Sequence, residues 1–374
     1  MELPIFRLED YLSQWEFKAR YLFCCSDAET FSLRELLSYS DAETQRLWDE
    51  LKLGYTEDRG MPLLRSEIQK IYSQVPEGGV LTFAGAAEGI FCTFQALLSR
   101  GDHVIVVFPC YQALESIPKA LGCEVTHLPL SESNHWMLDL DLLEKKIKKN
   151  TKLIVINFPH NPTGATLDQK TLTQLVEIAR KNGIFIFSDE VYRFLDLEGD
   201  QRVPAITDVY EKGISLGVLS KAYGLAGLRV GWIATQDTAV LQSSRWVKQY
   251  LSICNSASSE VLALIALRAG ERLLERNRSI LSRNLDLLDE FFLLHHEHLQ
   301  WVRPRGGCVG FPRFTWECSV EDFSQQLVQA TGILIMPGTV FGLDTCHFRI
   351  GFGRANMPEI LPIFSDYLSK FRSI

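Results

Sequence analysis

The sequence predicts an α/β fold, with a large unit on a mostly parallel central sheet flanked by helices and a small α+β unit beside it. Three observations carry that prediction. Short apolar runs rich in β-branched residues recur through the first two thirds of the chain, at 80–84, 103–108, 153–158, 183–188, 214–219 and 228–234. Helical patterns such as 88–98 and 167–181 lie between several of them. The last third changes character: 260 to about 298 reads as helix, and 302–315, 333–336 and 347–352 read as strands around further helices. Alternating strand and helix implies a parallel sheet covered on both faces. Ligands of such sheets bind beyond the carboxyl ends of the strands, so the residues just after each run are the ones to search.

Composition narrows the classes of function. With 46% hydrophobic and 22% charged residues among 374, the chain can fill a large core. Its net charge of -8, with both signs mixed along the chain, leaves no electrostatic footprint for nucleic acid. The nine cysteines are scattered and include no C-x-x-C pair, which argues against a disulfide framework and a zinc cage and for a reducing compartment. The first residues, MELPIFRLEDYL, lack the basic start and apolar run of a signal peptide, and no apolar stretch approaches a membrane span. A soluble, cytoplasmic protein without nucleic-acid or membrane partners is expected. His295-His296-Glu297-His298 ends a helical pattern and reads as a solvated face, so no metal site is expected. No G-x-G-x-x-G follows a strand, against a dinucleotide enzyme.

Three strand ends stand out. After 153–158 comes Pro159-His160-Asn161-Pro162-Thr163-Gly164, which by itself is a good turn. After 183–188 comes Asp189-Glu190-Val191-Tyr192, where an acid can simply cap a helix. After 214–219 comes Ser220-Lys221, leading to Gly227-Leu228-Arg229-Val230-Gly231. A lysine is unusual at the end of a buried strand, because desolvation penalises its charged form.

Together, and in that order, N-P-T-G, D-E-x-Y, S-K and G-L-R-x-G resemble the class I/II aminotransferases, pyridoxal 5′-phosphate (PLP) enzymes of fold type I. The resemblance spans roughly residues 45–355. It implies a fold-type I large domain over 45–260 and a small domain built from both chain ends, 1–44 and 261–374. Lys221 then carries PLP as an imine and, once released, moves the substrate α-proton. Asp189 keeps the pyridine nitrogen protonated, Asn161 and Tyr192 serve the ring's phenolic oxygen, and Tyr111 stacks on the ring. Arg229, Ser220 and the Gly85-Ala86-Ala87 turn that opens a helix hold the phosphate. Tyr55, in Tyr-Thr-Glu-Asp-Arg-Gly, matches a tyrosine that reaches the neighbouring subunit's phosphate, which implies a homodimer with shared sites. Arg349 matches the arginine that grips the substrate α-carboxylate beside Asn161, a task suited to a planar bidentate donor; the less favoured alternative is a surface ion pair.

The chain departs from the family pattern at Val218 and Ala87, where phosphate-binding hydroxyls are common, and at Phe158, which stands where an asparagine is frequent. The larger departure is at 23–33, where a glycine-rich stretch is usual. Phe23-Cys24-Cys25-Ser26-Asp27-Ala28-Glu29 is similar instead to a branch acting on arginine-derived amino acids, capreomycidine synthase among them. Glu9, Glu16, Asp27 and Glu29 crowd this region; a guanidinium substrate would want such carboxylates, although each can be a solvated acid. Asp27 is the first choice, with Ser26 and Glu9 beside it. Two outcomes follow the shared α-proton removal on an amino-acid substrate. A dehydrating cyclase on a hydroxylated arginine is favoured by the N-terminal segment, and an ordinary aminotransferase is the alternative. A ligand-sensing homologue without activity is a third reading, against which the segment before the first family motif is short for a DNA-binding module.

Overall fold

The computed structural model describes residues 2–197 and 202–371. Its centre is a seven-stranded sheet of β1 (Val80–Phe83), β2 (His103–Phe108), β3 (Glu124–Pro129), β4 (Thr151–Asn157), β5 (Phe185–Asp189), β6 (Gly213–Val218) and β7 (Gly231–Thr235). The strands lie in the order β1-β7-β6-β5-β4-β2-β3. All six expected runs are strands of this sheet. β7 alone is antiparallel to its neighbours β1 and β6. The reason is its connection: no crossover helix lies between Val218 and Gly231, only a loop and one 3₁₀ turn, so the chain doubles back. That loop carries Ser220, Lys221 and Arg229.

Period-two alternation sorts the strands onto two cores. Val104, Val106, Leu153, Val155, Phe185 and Phe187 enter one hydrophobic cluster. Ile105, Val107, Ile154, Ile156 and Ile186 enter the other, on the opposite face. Each such side chain contributes about 1.5–3 kcal/mol by leaving water. The strand that sequence reasoning missed, β3, pairs only with β2 and is mostly not buried. Its polar Glu124, Thr126 and His127 belong to an edge strand that needs no apolar run.

Helices are punctuated as expected. Asp168 caps Gln169–Asn182 by accepting from the Thr171 amide, and Gly183 ends it in the left-handed region at φ 68°. Gly183 is thus a helix stop and not the start of β5. The long helical stretch near the C-terminus divides at Ala269 into Ala257–Arg268 and Gly270–Leu294. The expected boundary at 260 falls inside the first of these, which packs against the helices Ala42–Asp49 and Pro62–Gln69. The expected strand 302–315 shrinks to Val309–Gly310 and Arg313–Phe314. Pro304 and Pro312 lack the N–H that a continuous ladder needs.

The two ends of the chain are stitched together. Tyr21 bridges to Ile333, and its amide donates to the Gly332 carbonyl at 2.9 Å. The Gly351 amide donates to the Phe23 carbonyl at 2.7 Å. A Cβ at Gly351 would sit 1.6 Å from the Cys25 carbonyl oxygen, so only glycine allows this approach. Among the described residues no helix is long and apolar enough to cross a membrane, and no cluster of His, Cys, Asp and Glu could hold a metal ion.

Candidate active site

The carboxyl ends of β4, β5 and β6 meet the start of the helix Ala86–Leu97 around a cavity of about 390 Å³. At the end of β4, Asn157 is the organiser. Its side-chain amide donates to the Asp189 carbonyl at 2.9 Å, and its Oδ1 accepts from the Asn161 amide at 2.9 Å. The N-P-T-G turn is fixed further by buried His160, whose Nε2 lies 2.8 Å from the Pro109 carbonyl and whose Nδ1 lies 2.8 Å from the Thr163 hydroxyl. A carbonyl only accepts, so Nε2 carries the proton. Burial lowers the His160 pKa to about 4, which keeps the ring neutral.

Asp189, the last residue of β5, is buried, and burial pushes its carboxyl up to about 7. The Val191 amide and the charge of Lys221 oppose that shift without cancelling it. Tyr192 is fully buried, and its hydroxyl donates to the Ser26 carbonyl at 3.0 Å. Burial holds the phenol well above its ordinary value. Lys221 Nζ donates to Ser26 Oγ at 2.8 Å. Ser220 Oγ is buried and has no hydrogen-bond partner among the described residues.

An anion cradle closes one end. Gly85, at φ 93°, precedes the helix Ala86–Leu97 and makes no side-chain cap to it, and the first amides of a helix have no partner within the helix itself. Arg229, itself in the left-handed region at φ 51°, lies against this turn. The φ of Gly85 favours glycine, and the Arg229 guanidinium packs against it, with Nη2 2.5 Å from where a Cβ would stand. Ala86 and Ala87 line the cavity. Tyr111 lines it as well, braced by the Phe6 ring at a centroid distance of 5.1 Å.

The other end comes from the chain termini. Arg349, on the strand Phe348–Gly351, is 1% exposed; its Nη1 donates to Asn161 Oδ1 at 3.0 Å and its Nη2 to the Cys24 carbonyl at 2.8 Å. Its Nε has no partner among the described residues. Asp27 faces the cavity, with its carboxylate held by Arg354 at 2.9 and 3.1 Å. Glu9 and Glu16 also line the cavity, from the helix Arg7–Trp15 and the residue that ends it. Glu29 lies outside the lining and accepts from the Ala355 amide. Tyr55 is 90% exposed and also lies outside it.

The singled-out residues other than Tyr55, Glu29 and Gly85 therefore face one cavity. Sequence reasoning missed Asn157 and Arg354. Asn157 had a signal, a polar side chain at the inward end of a buried strand. Arg354 had none, because its partner Asp27 is distant in sequence. Chemically the cavity offers an amine beside a buried carboxyl, an anion cradle at one end and a buried guanidinium at the other.

The aminotransferase class I and II family model matches residues 38–361. Capreomycidine synthase of Streptomyces vinaceus is 32% identical, over 94% of this chain and 90% of that protein. A PLP-dependent aminotransferase from Streptococcus suis 89-1591 superposes with a TM-score of 0.93 at 34% identity, covering 99% of both chains. The PLP-dependent cyclase OrfR superposes with a TM-score of 0.90 at 27% identity, covering 99% of this chain and 98% of that one.

Proposed function

The chain belongs to the aminotransferase class I and II family, and on that premise we propose that this PLP-dependent enzyme is a dehydrating cyclase for a hydroxylated arginine-type amino acid. The residues present fit the cofactor: an amine, a buried carboxyl and an anion cradle share one cavity. When bound, PLP supplies a carbonyl that condenses with amines and a ring that takes up the electron pair released at the substrate α-carbon. Lys221 is assigned the proton transfer at the α-carbon, Asp189 the ring nitrogen, and Asn161 and Tyr192 the ring oxygen. Tyr111 is assigned the ring face. The first amides of the Ala86–Leu97 helix, Arg229 and Ser220 are assigned the phosphate. Arg349 is assigned the substrate α-carboxylate.

The observation that carries the cyclase reading is the N-terminal wall. Glu9, Leu12 and Glu16 fall on one helical face and all line the cavity, which suits a long side chain ending in a guanidinium. Asp27 already faces a cation in Arg354, so Glu16 and Glu9 become the preferred guanidinium partners. Similarity to capreomycidine synthase and OrfR supports this reading, and similarity to the Streptococcus suis aminotransferase supports transamination instead. Incubation with a hydroxylated arginine and no keto acid separates them. The cyclase gives a cyclic product lighter by one water. Product that forms only with an added keto acceptor, its amino group moved, rejects the cyclase.

A homodimer fits the same reading. Tyr55, Leu53 and Tyr250 are each about nine-tenths exposed, at 90%, 89% and 91%, and a second copy would cover them and receive Tyr55 near its phosphate. The division into 45–260 against 1–44 with 261–374 is supported by the stitching of the two ends, and nine free thiols support a cytoplasmic location.

A further inference from the structure

Residues 26–29 are held in place from three sides. The Tyr192 hydroxyl donates to the Ser26 carbonyl at 3.0 Å. The Ala28 amide donates to the Lys221 carbonyl at 3.3 Å, and the Glu29 amide to the Gly353 carbonyl at 2.8 Å. A Cβ at Gly224 would lie 2.3 Å from the Glu29 carbonyl oxygen, so the loop after Lys221 presses directly on this segment. Main-chain contacts thus fix Ser26 independently of its own side chain. What that side chain does with its fixed position is meet the Lys221 amine at 2.8 Å.

A lysine amine sits on a flexible four-carbon stem, and a proton-transfer group must stay within hydrogen-bond reach of its target. We propose that Ser26 is a positioning residue that holds the Lys221 amine at the cavity whenever that amine is not joined to the cofactor. The inference rests on Lys221 being the amine that joins PLP and then moves the α-proton. Ser26 acts through Lys221 and is assigned no contact with the reacting carbon. Its hydroxyl accepts from the amine, and the same short segment carries Asp27, so the N-terminal wall that faces substrate also sets the place of the proton carrier.

The test compares Ser26→Ala with Ser26→Thr. In both, the main-chain contacts of residues 26–29 remain available, so the segment keeps its course. In the apoprotein, acetic anhydride labelling of Lys221, followed by peptide mass spectrometry, is expected to run about fivefold faster in Ser26→Ala, as expected for one lost hydrogen bond. Ser26→Thr, which keeps the hydroxyl, should label as the wild type does. In the holoenzyme, exchange of the α-hydrogen of L-arginine with deuterated water should slow about tenfold in Ser26→Ala with KM little changed, and Ser26→Thr should restore it. Equal labelling of Lys221 in wild type and Ser26→Ala overturns the proposal. So does a Ser26→Thr protein that behaves as Ser26→Ala. If the wild type binds no PLP, the cofactor reading fails on its own, and the apoprotein labelling still decides whether Ser26 holds the amine.

Discussion

The two ends of the cavity are built in different ways. At the cofactor end, Asp189 ends a strand of the central sheet and Asn161 and Lys221 lie just past two others, and Asn157 ties the first two of these strand ends together. At the substrate end, the contacts join residues far apart in the chain, such as Arg349 to Cys24 and Arg354 to Asp27. The sheet makes the first end a rigid scaffold that can serve any reaction begun by α-proton removal. The second depends on how the N-terminal segment lies across the C-terminal strand, and it touches the first where Ser26 meets Lys221 and Arg349 meets Asn161. On the proposed function, the chain ends select the fate of the released electron pair and the sheet supplies most of the residues assigned to the cofactor.

The strongest way to break this division is at Lys221. Lys221→Ala should remove the yellow absorbance of the purified holoenzyme and turnover with every substrate, a loss of at least about 10⁴-fold. A mutant that stayed yellow and active would show that another amine carries PLP. Next in size is Asp189→Asn. In the apoprotein the folded carboxyl titrates at about 7 against an ordinary 3.8, so between those pH values the folded state binds the extra proton. Stability is then greatest below the unfolded value and falls as pH rises from about 4 to about 7, by an amount on the order of a few kcal/mol. Melting curves of apo Asp189→Asn across this range should show a smaller decline than the wild type, with the remainder owed to Glu190 and Glu260, which burial also pushes up. Holoenzyme should also resist it, because a protonated ring nitrogen beside the carboxylate favours its charged form. A decline as large in the mutant as in the wild type would place the titration elsewhere.

The same division explains what could be read without coordinates. Residues at the ends of neighbouring strands are themselves neighbours, so alternation of apolar runs and turns marked the stretches holding Asn161, Asp189 and Lys221 as the places to search, and the family resemblance joined them with Arg229. The antiparallel direction of β7 was not legible, since it depends on a loop that lacks a helix and not on the composition of the strand. Nor was the Asp27–Arg354 pair, whose partners meet only after both chain ends fold. The exposed edge strand β3 gave no apolar signal because it buries little. Sequence periodicity reports burial and local turns; it carries no information on which distant loop a side chain meets.

The finest comparison lies within the N-terminal wall, between a carboxylate already matched by a cation and carboxylates that face the cavity. Glu16→Gln is expected to cost about tenfold in kcat/KM for guanidinium substrates, consistent with losing one charge-assisted hydrogen bond, and little for substrates with uncharged side chains. Asp27→Asn should instead act mainly on stability. It weakens a partly exposed pair with Arg354, in which 19% and 34% of the two side chains remain exposed, so the loss should stay within about 1 kcal/mol once solvent screening is allowed for. A melting-temperature drop of about 1 °C with nearly unchanged selectivity would fit that role. If Asp27→Asn erased the preference for guanidinium substrates and Glu16→Gln did not, the assignments would exchange, and Arg354 would have to swing away from Asp27 when substrate enters.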